Sequence, residues 1–229
     1  MKQLVVLSFF VASCLGGISQ TTCEMPLGDL DIRLQKMGFV DVATLDPAIV
    51  VDLMYAREDN FVGVAMYDGL TRAWLHPQAA EALKTAQQEL TSLYPGYALK
   101  VCDASRPMSV QKQMYSVVRG TSKARYVSNP ANGGGLHNYG MAVDVTIVDV
   151  DGHELDMGTE VDHLGKEAGI GNEQEMVADG IMTRQAVENR RLLRKVMRKG
   201  GFTALPSEWW HFNLVSRAKA RASYKLLDF

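Results

Sequence analysis

Residues 141–150 alternate as a strand does: Val143, Val145 and Ile147 fall on one face, while Ala142, Thr146 and Val148 share the other with Asp144. A carboxylate in that company is buried, and burying it unpaired is costly. It needs a cation, a cluster of hydrogen-bond donors or a metal ion. His137 lies seven residues earlier, at the end of the flexible loop Asn132-Gly133-Gly134-Gly135. From there the backbone can fold its imidazole back towards the strand. Taken alone, that spacing also suits a surface histidine and a hydrogen-bonded core aspartate.

The surrounding segments read as helices and turn-linked strands. Pro77–Leu93 is a helix, with proline in its first turn and Pro95-Gly96 as its stop. Residues 97–103 form a strand that leads through Ala104-Ser105-Arg106-Pro107 into a helix over 107–119. Asp151-Gly152 is a hairpin turn. Residues 183–199 make an amphipathic helix ended by Gly200-Gly201. Its basic stripe (Arg190, Arg191, Arg194, Lys195, Arg198, Lys199) reads as a solvated face. A last strand pair covers 202–205 and 210–215. No regular βαβ repeat is visible, so the class is α+β. The 229 residues, less an N-terminal leader, suit one domain over 23–229. A formal charge of −2 argues against a protein built to coat nucleic acid.

The leader is residues 1–22. Met1 and Lys2 precede an apolar run over 4–12, which is a signal-peptide pattern and too short to span a bilayer. Gly17-Ile18-Ser19 offers a cleavage site that yields a soluble periplasmic protein. Val11-Ala12-Ser13-Cys14 offers a lipobox, with Cys14 as a lipid anchor. Either way the chain is exported and has no transmembrane helix. In an oxidising compartment Cys23 and Cys102 have the option of a disulfide. Within Ala98-Leu99-Lys100-Val101-Cys102, however, Cys102 reads better as a small buried hydrophobe.

Ser207-Glu208-Trp209-Trp210-His211 brackets two tryptophans with an acid and an imidazole. A spacing of three puts Glu208 and His211 on opposite faces of a regular strand, so a turn or bulge after Pro206 has to bring them together. His137, Asp144 and His211 then make a three-ligand catalytic zinc site with its fourth position open to water, and Glu208 is the base for that water. The tryptophans would wall the pocket.

The ordered motifs resemble the zinc D-alanyl-D-alanine dipeptidases of the VanX type, within the D,D-peptidases related to the Hedgehog fold. The likeness covers residues 51–214. It runs through Asp52-Leu53-Met54-Tyr55-Ala56, Asp59-Asn60-Phe61, Asp103-Ala104-Ser105-Arg106-Pro107, His137-Asn138-Tyr139-Gly140-Met141-Ala142-Val143-Asp144, Met157-Gly158, Asp162, Asn189-Arg190-Arg191 and Glu208-Trp209-Trp210-His211. It implies a central, mostly antiparallel sheet with flanking helices. It also implies one Zn2+ per chain on His137, Asp144 and His211, Glu208 as general base, and Arg106 as oxyanion stabiliser. Asp162 would bind the substrate's free amino group, with Tyr55 and Asp103 near it, and the substrate would be a small dipeptide of peptidoglycan metabolism.

Two positions depart from the family pattern: Gly135 stands where a serine is common, and Ser105 where an aromatic residue is. Both bear on how the ends of the dipeptide are held. Arg106 has a purely structural alternative, pairing with Asp103. His76, His153 and His163 read as exposed. Competing functions are a zinc D,D- or L,D-carboxypeptidase acting on peptidoglycan stem peptides and a non-catalytic cell-wall binding module. The module would need neither Glu208 nor Arg106.

Overall fold

The computed structural model describes residues 27–229. The leader, Cys14 and Cys23 lie outside the described residues. In chain order the regular elements begin with α1 (Asp29–Lys36), β1 (Val40–Asp41), β2 (Val50–Val51), β3 (Trp74–Leu75), α2 (Pro77–Leu93), β4 (Ala98–Asp103) and α3 (Met108–Val118). They continue with β5 (Ala142–Val148), α4 (Glu173–Ala178), α5 (Arg184–Lys199), β6 (Thr203–Leu205), β7 (Glu208–Asn213) and α6 (Arg217–Ser223). No described helix is long and apolar enough to cross a membrane.

A five-stranded sheet in the order β2-β4-β5-β7-β6 forms the centre, and only its β2–β4 pair is parallel. The fold is therefore α+β with a mostly antiparallel sheet. β5 lies in the middle and every one of its residues is buried, which is what apolar side chains on both of its faces require. α2 and α5 pack on each other and against β4 and β6 respectively. Leu83, Leu90, Val101, Val145, Ile147, Val196 and Met197 fill the core with no measurable exposure. At roughly 25 cal/mol per Å² of apolar surface, each such aliphatic side chain contributes about 1.5–3 kcal/mol. Cys102 is a buried free thiol.

Three local readings change. Arg190 is not on a solvated face: it is fully buried. Ala186, Val187, Arg190, Leu193 and Met197 recur at helical spacing on the inward stripe of α5, and Arg190 falls within it. Its guanidinium donates to the carbonyls of Met157 (2.6 Å), Glu167 (3.0 Å) and Gly169 (3.4 Å), and so pins the loop over 157–169. Arg194 leaves the stripe as well and grips Glu173 with two bonds of 2.7 Å. His76 is half-buried between the rings of Phe39 and Tyr224. Its Nδ1 accepts the Gln78 amide at the start of α2, an N-cap role. His153 and His163 are exposed. The last strand begins at Glu208, two residues before its expected start. Leu205 pairs with Glu208 directly after Ala204 pairs with Phe212, so extra residues of β7 bulge between the two pairs.

Candidate metal centre and active site

Pairing across the sheet lines up the first groups. Asp103 on β4, Asp144 on β5 and His211 on β7 are direct cross-strand partners, with a register shift just before Asp103. Partners of this kind project to the same side of a sheet at close quarters. His137 arrives from a 3₁₀ turn, Leu136–Tyr139, that leads into β5. The turn ends on Gly140 at φ +66°, where a Cβ would stand 2.3 Å from the Phe39 ring. Only glycine fits there. The buried Asn138 side chain braces the same turn, accepting from the Gly135 amide and donating to the Arg106 carbonyl, both at 2.8 Å.

Three electron-pair donors converge as a result. His211 Nδ1 is 2.9 Å from Asp144 Oδ1, His137 Nε2 is 3.4 Å from the same oxygen, and the two ring nitrogens are 3.1 Å apart. Ligands of four-coordinate zinc, with bonds of ~2.0–2.1 Å, stand about 3.3 Å from one another. Each imidazole is held at its other nitrogen. His137 Nδ1 lies 2.6 Å from the Ala104 carbonyl, and His211 Nε2 lies 3.0 Å from Asn213 Oδ1. Those acceptors fix the N–H on the outer nitrogens and leave both lone pairs facing the Asp144 carboxylate. Two lone pairs and an anion at one point suit a cation.

The centre sits in the floor of a cavity of about 360 Å³, lined among others by Tyr55, Arg106, Asp162, Glu208 and Arg217. The Glu208 carboxylate accepts no hydrogen bond from any described residue, and burial pushes its pKa up to about 7. Asp162 turns its carboxylate into the cavity against the Tyr55 hydroxyl. Burial, reinforced by the charge of Asp144, pushes it up to about 7 as well, despite that hydrogen bond. Its backbone sits at φ +65°, a left-handed conformation that aspartate tolerates better than most residues. A carboxylate so placed favours a cationic partner.

Arg106 is buried, and it does pair with Asp103. Its Nε (3.0 Å) and Nη2 both reach Asp103 Oδ2, while Nη1 reaches Gln111 Oε1 at 3.1 Å. One hydrogen remains on each terminal nitrogen, the guanidinium lines the cavity, and its carbon stands 5.1 Å from the Tyr55 ring centre. Asp103 itself is fully buried, also takes the Tyr67 hydroxyl, and does not line the cavity. It acts on the site through Arg106.

The tryptophans are not the cavity wall. Trp210 is fully buried, since the residue preceding His211 faces the other way along the strand. Trp209 lies near the Arg190 guanidinium and donates to Thr159 at 2.8 Å. Phe61, Met114, Leu136, Leu164 and Leu205 supply the apolar lining instead. Ser105 is buried against Gly140 and is not part of the lining, whereas Gly135 is. Gln111, Asn213 and Tyr67 also support the site and are not among the residues expected from sequence. Asn213 had a legible signal, since it lies two residues beyond His211 and hence on the same strand face. Gln111 and Tyr67 had none.

The chain is similar to several known proteins. A family model described as D-Ala-D-Ala dipeptidase, peptidase M15, matches residues 35–227. The D-alanyl-D-alanine dipeptidase of Escherichia coli K12 is 34% identical over 188 residues, covering 82% of this chain and 88% of that protein. The D-alanyl-D-alanine dipeptidase of Enterococcus faecalis V583 is 27% identical over 197 residues, 78% of this chain and 92% of that one. Among solved structures, the LD-carboxypeptidase LdcB aligns over 65% of this chain and 63% of its own, at 21% identity and a TM-score of 0.40.

Proposed function

Because the chain belongs to the D-Ala-D-Ala dipeptidase family of peptidases, we propose that it hydrolyses D-alanyl-D-alanine to two D-alanines as a zinc-dependent enzyme. The observation that carries this reading is the convergence of His137 Nε2, Asp144 Oδ1 and His211 Nδ1 beneath a cavity that also holds Glu208. These three atoms would hold one zinc ion, which when bound supplies Lewis-acid chemistry and makes water a better nucleophile at neutral pH. The work belongs to cell-wall metabolism outside the cytoplasm, after removal of residues 1–22 or with Cys14 as a lipid anchor.

Glu208 takes the proton of the attacking water and then delivers it to the departing amine nitrogen. Its raised pKa suits both halves of that task. Arg106, held rigid by Asp103 and Gln111, turns its remaining N–H groups to the oxygen of the scissile carbonyl as charge develops there. Asp162 and Tyr55 receive the free ammonium of the dipeptide. Where the bound dipeptide displaces water from Phe61, Leu136 and Leu164, each of these interactions strengthens.

Two measurements on one preparation test the proposal. Elemental analysis should find about one zinc per chain, and D-Ala-D-Ala should be cleaved in preference to N-acetyl-D-Ala-D-Ala. A metal-free preparation with full activity would overturn the zinc assignment. Equal or better cleavage of the acetylated substrate would point to a carboxypeptidase instead.

A further inference from the structure

Gly135 leaves a space at the cavity wall, and a second residue occupies it. The Ser128 hydroxyl oxygen stands 2.7 Å from the point where a Cβ on Gly135 would lie. The Ser128 backbone is fixed, since its carbonyl accepts from Gln111 Nε2 at 2.7 Å, and the same Gln111 also holds Arg106. Arg217, at the exposed rim on α6, donates through Nη2 to Ser128 Oγ at 3.3 Å. Arg217 has no carboxylate partner among the described residues, and both Ser128 and Arg217 line the cavity that contains Asp162.

The charges are divided. Asp162, Glu208 and Asp144 are the acids of the cavity, and its arginines are Arg106, Arg125 and Arg217. Arg106 is engaged by Asp103 and Gln111, and its spare hydrogens serve the scissile carbonyl. Arg125 lies over the ring of its neighbour Tyr126 and donates to that hydroxyl. Arg217 keeps most of its donors open. Ser128 accepts from Arg217 and still has its own O–H to give. A guanidinium and a hydroxyl donor side by side suit one carboxylate.

We infer that Arg217 and Ser128 read the terminal carboxylate of the substrate, so that the cavity recognises a free dipeptide by both of its charged ends. This rests on the dipeptidase reading above. It assigns a specificity role to two residues outside the metal set, with the Ser128 hydroxyl occupying the volume that a side chain at position 135 would otherwise take.

The experiment compares D-Ala-D-Ala with its C-terminal amide, in which the second charge is lost. Cleavage of both by wild type, Arg217→Gln and Ser128→Ala gives kcat/KM ratios. Titration calorimetry of both ligands against zinc-loaded Glu208→Gln, with and without Arg217→Gln, gives binding ratios free of turnover. Wild type should prefer the free acid. Arg217→Gln should narrow that preference about tenfold to a hundredfold, mainly through KM and through affinity. Arg217→Lys should recover part of it. The paired change Ser128→Ala with Gly135→Ser should recover more than Ser128→Ala alone, because it returns a hydroxyl to the same space. An unchanged acid-to-amide ratio in Arg217→Gln, with both ligands still bound, would overturn this inference and leave the dipeptidase reading standing. Failure of the wild-type chain to bind or cleave either ligand would overturn both.

Discussion

Glu208 combines burial with the lack of any described hydrogen-bond donor, and its pKa rises from 4.5 to about 7. A group raised on folding adds stability that is complete below about pH 4.5, falls away as pH rises, and is gone above about 7. At 1.36 kcal/mol per unit, the loss is about 3 kcal/mol at most. In metal-free protein, Glu208→Gln should therefore gain stability over wild type between those pH values and hold the gain above them. Urea unfolding across a pH series in chelator reads this, and a pH-independent difference would contradict it. With zinc present the same variant should keep its metal and lose about 10²–10⁴-fold in turnover. Asp162→Asn, which suits the left-handed backbone, should lower cleavage of D-Ala-D-Ala and narrow its advantage over the N-acetylated dipeptide. Kinetics on both substrates check it. The convergence of His137, Asp144 and His211 was legible because such side chains are costly to bury without partners. Gln111 and Tyr67 were not, because each acts through hydrogen bonds whose partners are known only once the chain has folded.

Among the elements, α2 has the bounds that its proline start and Pro-Gly stop dictate, and β5 keeps its alternation through Val148. β7 was harder to read. Its first residues pair with β6 through a bulge, and no local pattern records which residue opposes which. α5 was misread at Arg190 because a cation inside the apolar stripe is rare. What makes it tolerable is a set of loop carbonyls that the sequence does not place. The consequence is testable. Arg190→Met removes the donors to Met157, Glu167 and Gly169 and with them the anchor of the loop that carries Asp162. The variant should lose about 2–4 kcal/mol of stability, in the range for unpairing buried polar groups. Its KM should rise more than its kcat falls. Denaturant melts and steady-state kinetics on the same protein read the two effects, and an unchanged KM would show that the loop holds its position without Arg190.

For the whole molecule, one centre joins a turn, a central strand and a late strand, so the ion should act as a cross-link. At a free concentration a hundred times its dissociation constant, zinc stabilises the fold by about 2.7 kcal/mol. Chelation should accordingly lower the melting temperature, and re-adding the metal should restore it. An unchanged melting temperature would place the ion outside the folding unit. The sheet order also makes assembly of the centre a late event. His211 is 67 residues from Asp144 and 74 from His137 along the chain, so the three donors meet only after β5 has paired with β7. An unfolded chain offers nothing of comparable affinity, and acquisition of the ion has to follow closure of the sheet rather than guide it. If the chain crosses a membrane unfolded, it arrives without metal, and any ion bound at this centre has to be drawn from the far side.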